Sequence, residues 1–347
     1  MKFKKLTAII LSVLMIFSAF SFCVSAESES IEELQKQFRY GVGPERNGYR
    51  IDYRYYSPVG RRDNTEYPLV IWLHGMGDGS YEGKQIERSD IALWASDEFQ
   101  RRFKGSKGAF ILAARSVEEA DLYWTDNLIS PLRAAIDDFI EENWFNIDPE
   151  RIYIGGYSMG GKMTLKMAVA YPEMFAAAFP ICPAWVPGTD ATRKIADMPI
   201  WLTSGASDPL VNYYAMTMPT WKNIISESNV PGKCRFSTLT RTAYPNGLPT
   251  SSDHHSWYAV NNDMFSSRNG NYPSMRTVDG NGKRVTLSYP DGMISWLSSF
   301  RSDFDGDRAY GSGNEEAQTS NGMPSGFNMI LTMLKNFFEY ITSFFKF

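Results

Sequence analysis

Three residue types that together can turn a hydroxyl into a nucleophile stand in this chain in the order serine, aspartate, histidine. The serine is Ser158, within Arg151-Ile152-Tyr153-Ile154-Gly155-Gly156-Tyr157-Ser158-Met159-Gly160-Gly161. A β-branched and aromatic run stops at glycines, presents Ser158, and passes into a helical pattern from Lys162 to Tyr171. Gly156-x-Ser158-x-Gly160 in the order strand, turn, helix reads as a nucleophile elbow: small residues let the backbone turn tightly and expose Oγ. The helix that follows aims its positive N-terminal dipole at the turn, where an oxyanion would develop.

Attack on an acyl carbonyl also needs two backbone N–H donors, a base, and a group to orient that base. Met159, directly after the serine, offers one amide. The glycine-rich stretch His74-Gly75-Met76-Gly77-Asp78-Gly79 offers the other through Met76; it lacks the Gly-Lys-Ser/Thr ending of a phosphate loop, and His74 there is expected to brace the loop. Asp208, at the end of the apolar run Ile200 to Ser204, is placed to accept an imidazole N–H. The chain has only three histidines, and the remaining two are adjacent, His254 and His255, after a strand over Phe236 to Leu239. One of these two is the expected base, and spacing alone does not choose between them.

The elements that must position these groups are legible as alternating patterns. A short helix capped by Ser30 runs to Phe38, and a tyrosine-rich segment from Gly48 to Ser57 reads as a half-buried edge strand. Leu69 to Leu73, Gly108 to Ala114, Ala176 to Cys182 and Ile200 to Ser204 are continuous apolar runs, as in strands covered on both faces. Helical patterns cover about Gln85 to Phe103, Pro131 to Trp144 and Asp291 to Phe300. Apolar strands alternating with helices predict an α/β fold built on a mostly parallel, doubly wound sheet, with sites gathered at strand C-terminal ends.

At 347 residues, 43% hydrophobic and 14% aromatic, the chain can bury a large core. Met1 to Ala26 has the charged start, apolar run and small-residue end of a secretory signal, so the protein is expected to be extracellular. Cleavage there removes three lysines and no acid, taking the formal charge from −4 to −7, which argues against nucleic acid as a partner. Cys182 and Cys234 remain, read as two separate buried thiols at opposite edges of the sheet. Neither has zinc-site spacing, and no metal or cofactor is called for. Residues 27–301 are expected to form the catalytic domain, 302–326 a linker rich in Gly, Ser, Asn and Asp, and 327–347 an amphipathic helix. That helix is expected to meet a membrane surface or a protein, retaining the protein at the cell surface.

From about Tyr67 to Trp257 the chain resembles the secreted esterase and "predicted peptidase" branch of the α/β-hydrolases, related to feruloyl-esterase-like and polyhydroxybutyrate-depolymerase-like enzymes. The matching stretches are Tyr-Pro-Leu-Val-Ile-Trp-Leu-His-Gly-x-Gly from Tyr67, Arg-Ile-Tyr-x-x-Gly-x-Ser-Met-Gly-Gly from Arg151, Tyr-Pro-x-x-Phe-Ala-Ala from Tyr171 and Pro-Ile-Trp from Pro199. The resemblance implies cofactor-free and metal-free hydrolysis in which Ser158 attacks, His254 shuttles the proton, Asp208 orients it, and water releases an acyl-enzyme. Asp253 and His255 stand where that family carries glycine and aspartate. An insertion over about 261–290, with a hairpin turn at Val278 to Lys283, is expected to roof the pocket, and Trp124, Trp257 and Tyr258 to line it. The expected substrate is a small or polysaccharide-linked ester. A prolyl-oligopeptidase-type peptidase, a polyhydroxyalkanoate depolymerase and a silent binding scaffold are the alternatives.

Overall fold

The computed structural model describes residues 29–58, 65–117, 123–266, 275–288 and 290–302. The signal segment 1–26, residues 303–326 of the linker and the tail 327–347 lie outside the described residues. Nine strands form one sheet: β1 Arg39–Val42, β2 Asp52–Tyr56, β3 Tyr67–Leu73, β4 Phe110–Ala114, β5 Ile147–Tyr157, β6 Ala177–Ile181, β7 Trp201–Gly205, β8 Arg235–Leu239 and β9 Met275–Asp279. Their spatial order is β1-β2-β4-β3-β5-β6-β7-β8-β9. The six strands from β4 to β8 run parallel, and the pairs on either flank are antiparallel.

Period-two alternation explains why the central runs are apolar throughout. Along β3, Leu69, Ile71 and Leu73 face one buried layer while Val70 and Trp72 face the other, and β4 repeats this with Phe110 and Leu112 against Ile111 and Ala113. The first layer is filled by α2 (Ile129–Glu142), α3 (Met159–Ala170), α4 (Thr189–Ile195) and α5 (Met218–Glu227), through Phe139, Met163, Ile195 and Ile224 among others. The second holds α1 (Ile31–Lys36), α6 (Trp257–Asn261) and α7 (Met293–Leu297), with Leu34, Val260 and Trp296. Ser30 caps α1 by accepting from the Glu33 amide.

Several expectations need correction. The segment from Gln85 to Phe103 is not one helix but Lys84–Glu87, Ile91–Ala95 and Asp97–Gln100, because Asp90 adopts φ 57° and Ser96 starts a new cap. The tyrosine-rich strand is not at the edge: β1 pairs outside it. Cys182 and Cys234 are, as expected, two free buried thiols at opposite rims of the sheet, Cys182 just after β6 and Cys234 just before β8.

The insertion at 261–290 adds β9 to the sheet. Met275 starts beside Leu239 and the strand runs antiparallel to end beside Arg235, carrying the turn at Asp279–Lys283 away from the C-terminal rim. The root of this segment is pinned by Asp263, whose buried carboxylate accepts from Arg102 Nη1 at 2.8 Å and the Met293 amide at 2.6 Å. Arg102 is itself largely buried. Asp263→Ala removes the buried carboxylate shared by Arg102 and the Met293 amide while Arg102 keeps its bond to Glu98, so it should lower unfolding free energy by about 1–3 kcal/mol in urea titrations, and Asp263→Asn by less.

Candidate active site

Ser158 sits between β5 and α3 with φ 56° and ψ −115°, a conformation rare for a residue with a side chain. Its amide donates to Ile181 O at 2.9 Å, and its carbonyl accepts from the Lys162 and Ala184 amides. Side chains at Gly156 and Gly160 would collide with the Leu73 carbonyl, and one at Gly161 would lie 2.6 Å from Ile181 O. The elbow is therefore seated directly on β3 and β6. Met159 is the first residue of α3, where an amide has no acceptor within the helix.

The loop after β3 is fixed by polar contacts along its length. His74 is fully buried, and burial pushes its pKa down to about 4, so it is neutral. Its Nδ1 lies 2.7 Å from Gly75 O, and Nε2 accepts the Ser116 amide at 3.0 Å. Farther along, Lys84 donates to Gly77 O, Arg115 donates to Gly79 O, and the Tyr157 hydroxyl donates to Asp78. This last bond ties the loop to the residue preceding Ser158. Met76 at the loop's crest and Met159 border one cavity.

Asp208 follows β7, and its carboxylate is used on both oxygens. Oδ1 accepts the Leu210 and Val211 amides at 2.8 and 2.9 Å, and Oδ2 lies 2.8 Å from His254 Nδ1. Burial opposes a charge on the His254 ring, but the Cys182 sulfur and the Asp208 carboxylate outweigh it, and the His254 pKa is raised. His255 makes no such bond. It tilts against Trp257 with centroids 4.7 Å apart, and its pKa is lowered, chiefly by burial and then by the His254 and Arg88 charges. Asp253, at the position where the resembling family carries glycine, accepts the Thr242 amide at 2.9 Å and so holds the histidine loop to the chain leaving β8.

Ser158, His254, Met76, Met159, Trp257 and Tyr258 all border this cavity of about 630 Å³. Trp124 does not. It is fully buried, its Nε1 donates to His74 O at 3.0 Å, and its ring lies tilted against His74 with centroids 5.3 Å apart, so it props the loop. None of the described residues of the 261–290 insertion borders the cavity, and residues 267–274, on which the expected roof falls, lie outside the described residues. Asp78, Arg88, Leu210, Tyr244 and Ser251 border it without having been singled out in the sequence. Tyr244 and Ser251 belong to a Pro- and Gly-containing stretch with no periodic signal, whereas Asp78 was inside the motif already marked.

A family profile described as phospholipase/carboxylesterase matches residues 114–244. The chain is 24% identical over 251 residues to the bifunctional acetylxylan esterase/xylanase XynS20E of Neocallimastix patriciarum, covering 70% of this chain and 34% of that protein. It is 26% identical over 186 residues to the "probable carboxylesterase SOBER1-like" protein of Arabidopsis thaliana, covering 46% of this chain and 67% of that one. Among solved structures, a thermostable esterase superposes with a TM-score of 0.56 at 27% identity, over 67% of this chain and 61% of the other. The chain thus spans about a third of the fungal protein's length and under two thirds of the thermostable esterase. With its parallel sheet, this chain has an α/β-hydrolase fold, and the proteins it is similar to there are esterases.

Proposed function

We propose that the protein hydrolyses carboxylic esters through an acyl-enzyme, with Ser158 as nucleophile, His254 as base and Asp208 as the group that orients it. The observation that carries this reading is the Asp208–His254 bond, at 2.8 Å, on a ring that shares its cavity with a serine in a strained strand-to-helix turn. His254 Nε2 takes the proton of Ser158 as Oγ attacks the acyl carbon, and the Met76 and Met159 amides receive the oxyanion. His254 then protonates the departing alcohol, and water attacks the acyl-enzyme by the same route. Export through the Met1–Ala26 signal fits an extracellular substrate. Trp257, Tyr258 and Tyr244 on the cavity wall, together with an acetylxylan esterase among the relatives, favour an ester carried on a polysaccharide.

With p-nitrophenyl acetate, Ser158→Ala and His254→Ala should each lower kcat by about 10³-fold or more with KM little changed. His255→Ala should stay within about tenfold of wild type; a larger loss there than at His254 would exchange their roles. The base must be neutral to accept a proton, so kcat/KM should rise with pH through the His254 pKa, above that of an ordinary imidazole. Asp208→Asn removes a group that raises it; in a pH series the acidic limb should move to lower pH while the plateau falls by about 10⁴-fold. Tyr157→Phe, which removes one of the bonds that hold the oxyanion loop and leaves those of Lys84 and Arg115, should cost about tenfold in kcat, read at saturating substrate.

A further inference from the structure

Directly behind the proposed base lies a thiol that the hydrolysis does not use. Cys182 follows β6 with φ 34°, an unusual conformation for a non-glycine residue, and its amide donates to Thr203 O at 2.8 Å. This turn brings Sγ to 3.7 Å from the backbone carbonyl of His254. One ligand atom from each of Cys182, Asp208 and His254 lies within 4.8 Å of the others, and all three residues are buried. No other group of three such donors occurs among the described residues.

We propose that Cys182, Asp208 and His254 form an inhibitory binding site for a thiophilic divalent cation, Zn²⁺ being the best match. The inhibition, though not the binding, rests on the reading of His254 as base. The donor set is one thiolate, one imidazole and one carboxylate, which are zinc's preferred ligand types. Bonds of about 2.0–2.3 Å in a tetrahedron require donors roughly 3.3–3.8 Å apart, so Asp208 Oδ2 and His254 Nδ1, at 2.8 Å, must open by about 0.5 Å and a pair near the 4.8 Å limit must close by about 1–1.5 Å. Ca²⁺ and Mg²⁺, which prefer six or more oxygens, are excluded by the same set.

Counted from the neutral, active ring, binding shifts one proton to solvent and moves another; from the imidazolium it releases two to solvent. The Cys182 thiol loses its proton, the cation takes His254 Nδ1 in place of the N–H that bonds Asp208, and the ring keeps its single proton on Nε2. An Nε2–H cannot accept the proton of Ser158, so the metal-bound form is inactive until the cation leaves. Selection of the wrong tautomer, not obstruction of the cavity, is the inhibitory step.

The test uses the full purified chain with CoCl₂ and ZnCl₂ as probes. Wild type and Cys234→Ala should develop the near-ultraviolet thiolate-to-Co²⁺ charge-transfer band, and Cys182→Ala should not. Zn²⁺ should inhibit p-nitrophenyl acetate turnover reversibly, with EDTA restoring it, while Mg²⁺ and Ca²⁺ do nothing. Read as a fraction of each variant's own metal-free activity, the half-inhibiting Zn²⁺ concentration should rise at least about tenfold in Cys182→Ala. Circular dichroism checks that this variant folds, and Cys182→Ser serves if it does not. A band or a Zn²⁺ sensitivity that survives in the folded Cys182 variant overturns the site, as does the absence of both in wild type. A Cys182-dependent band on a protein that turns over no ester would uphold the site and sink the esterase reading instead.

Discussion

The backbone of Ser158 is the constraint on which the rest of the structure depends. A non-glycine residue at φ 56° and ψ −115° costs about 1–3 kcal/mol, and such a turn persists only where its surroundings fix it. Here β5 supplies the turn and its two neighbours supply the restraint. On one side the glycines lie against the Leu73 carbonyl at the end of β3; on the other the Ser158 amide bonds Ile181 at the end of β6. The register that pairs Leu73 with Gly156 and Ile181 with Tyr157 brings those strand ends level with the turn. The strain is thus set against two full strand pairings in the middle of the sheet, and both run through a core of apolar side chains on each face.

Everything else at the site is a loop leaving the same rim. Parallel strands end side by side, so the loop after β3, the elbow after β5, the acid after β7 and the histidine loop after β8 meet although their residues are far apart in sequence. Each loop is held by polar contacts rather than by packing alone. His74 and Ser116 fix the first, Asp208 closes its own turn on two amides, and Thr242, Thr250, Ser252 and Asp253 knit the last. Gly205 allows that last loop to approach β7, since a side chain there would strike the Asp253 carbonyl. Asp253 therefore does with a side chain, by bonding Thr242, what fixes the loop on the outer side.

The parts of this arrangement written in short-range signals were legible in the sequence. Strands buried on both faces appear as unbroken apolar runs, and the elbow appears as glycines around one serine. The order of serine, acid and histidine follows from chain connectivity. Tertiary effects were not legible. Trp124 resembles any aromatic that could line a pocket, and only its bond to the His74 carbonyl shows that it lies under the loop. The Gln85–Phe103 pattern is helical in its apolar spacing, yet one left-handed residue at Asp90 and a cap at Ser96 divide it. The insertion's direction depends on which edge β9 pairs with, which no local pattern encodes. The closeness of Cys182 to His254 joins residues 72 positions apart, beyond any motif.

The His254 loop also shows what the site gives up in stability. His255 Nδ1, Ser256 Oγ and Trp257 Nε1, three consecutive residues after His254, are buried without a hydrogen-bond partner in the protein among the described residues. Each such group costs about 1–3 kcal/mol if nothing satisfies it, a large sum beside the marginal stability of a folded domain. The same three residues pack Trp257 onto Tyr157 at 4.2 Å between ring centroids, and Tyr157 in turn bonds Asp78 in the oxyanion loop. The unsatisfied segment is therefore continuous with the contacts that link the His254 loop, the Ser158 turn and the loop after β3. A loop free to satisfy its own polar groups would have to lift Trp257 from that stack, and the His254 ring, one turn earlier, would move with it. The cost is borne locally because the geometry it secures is local.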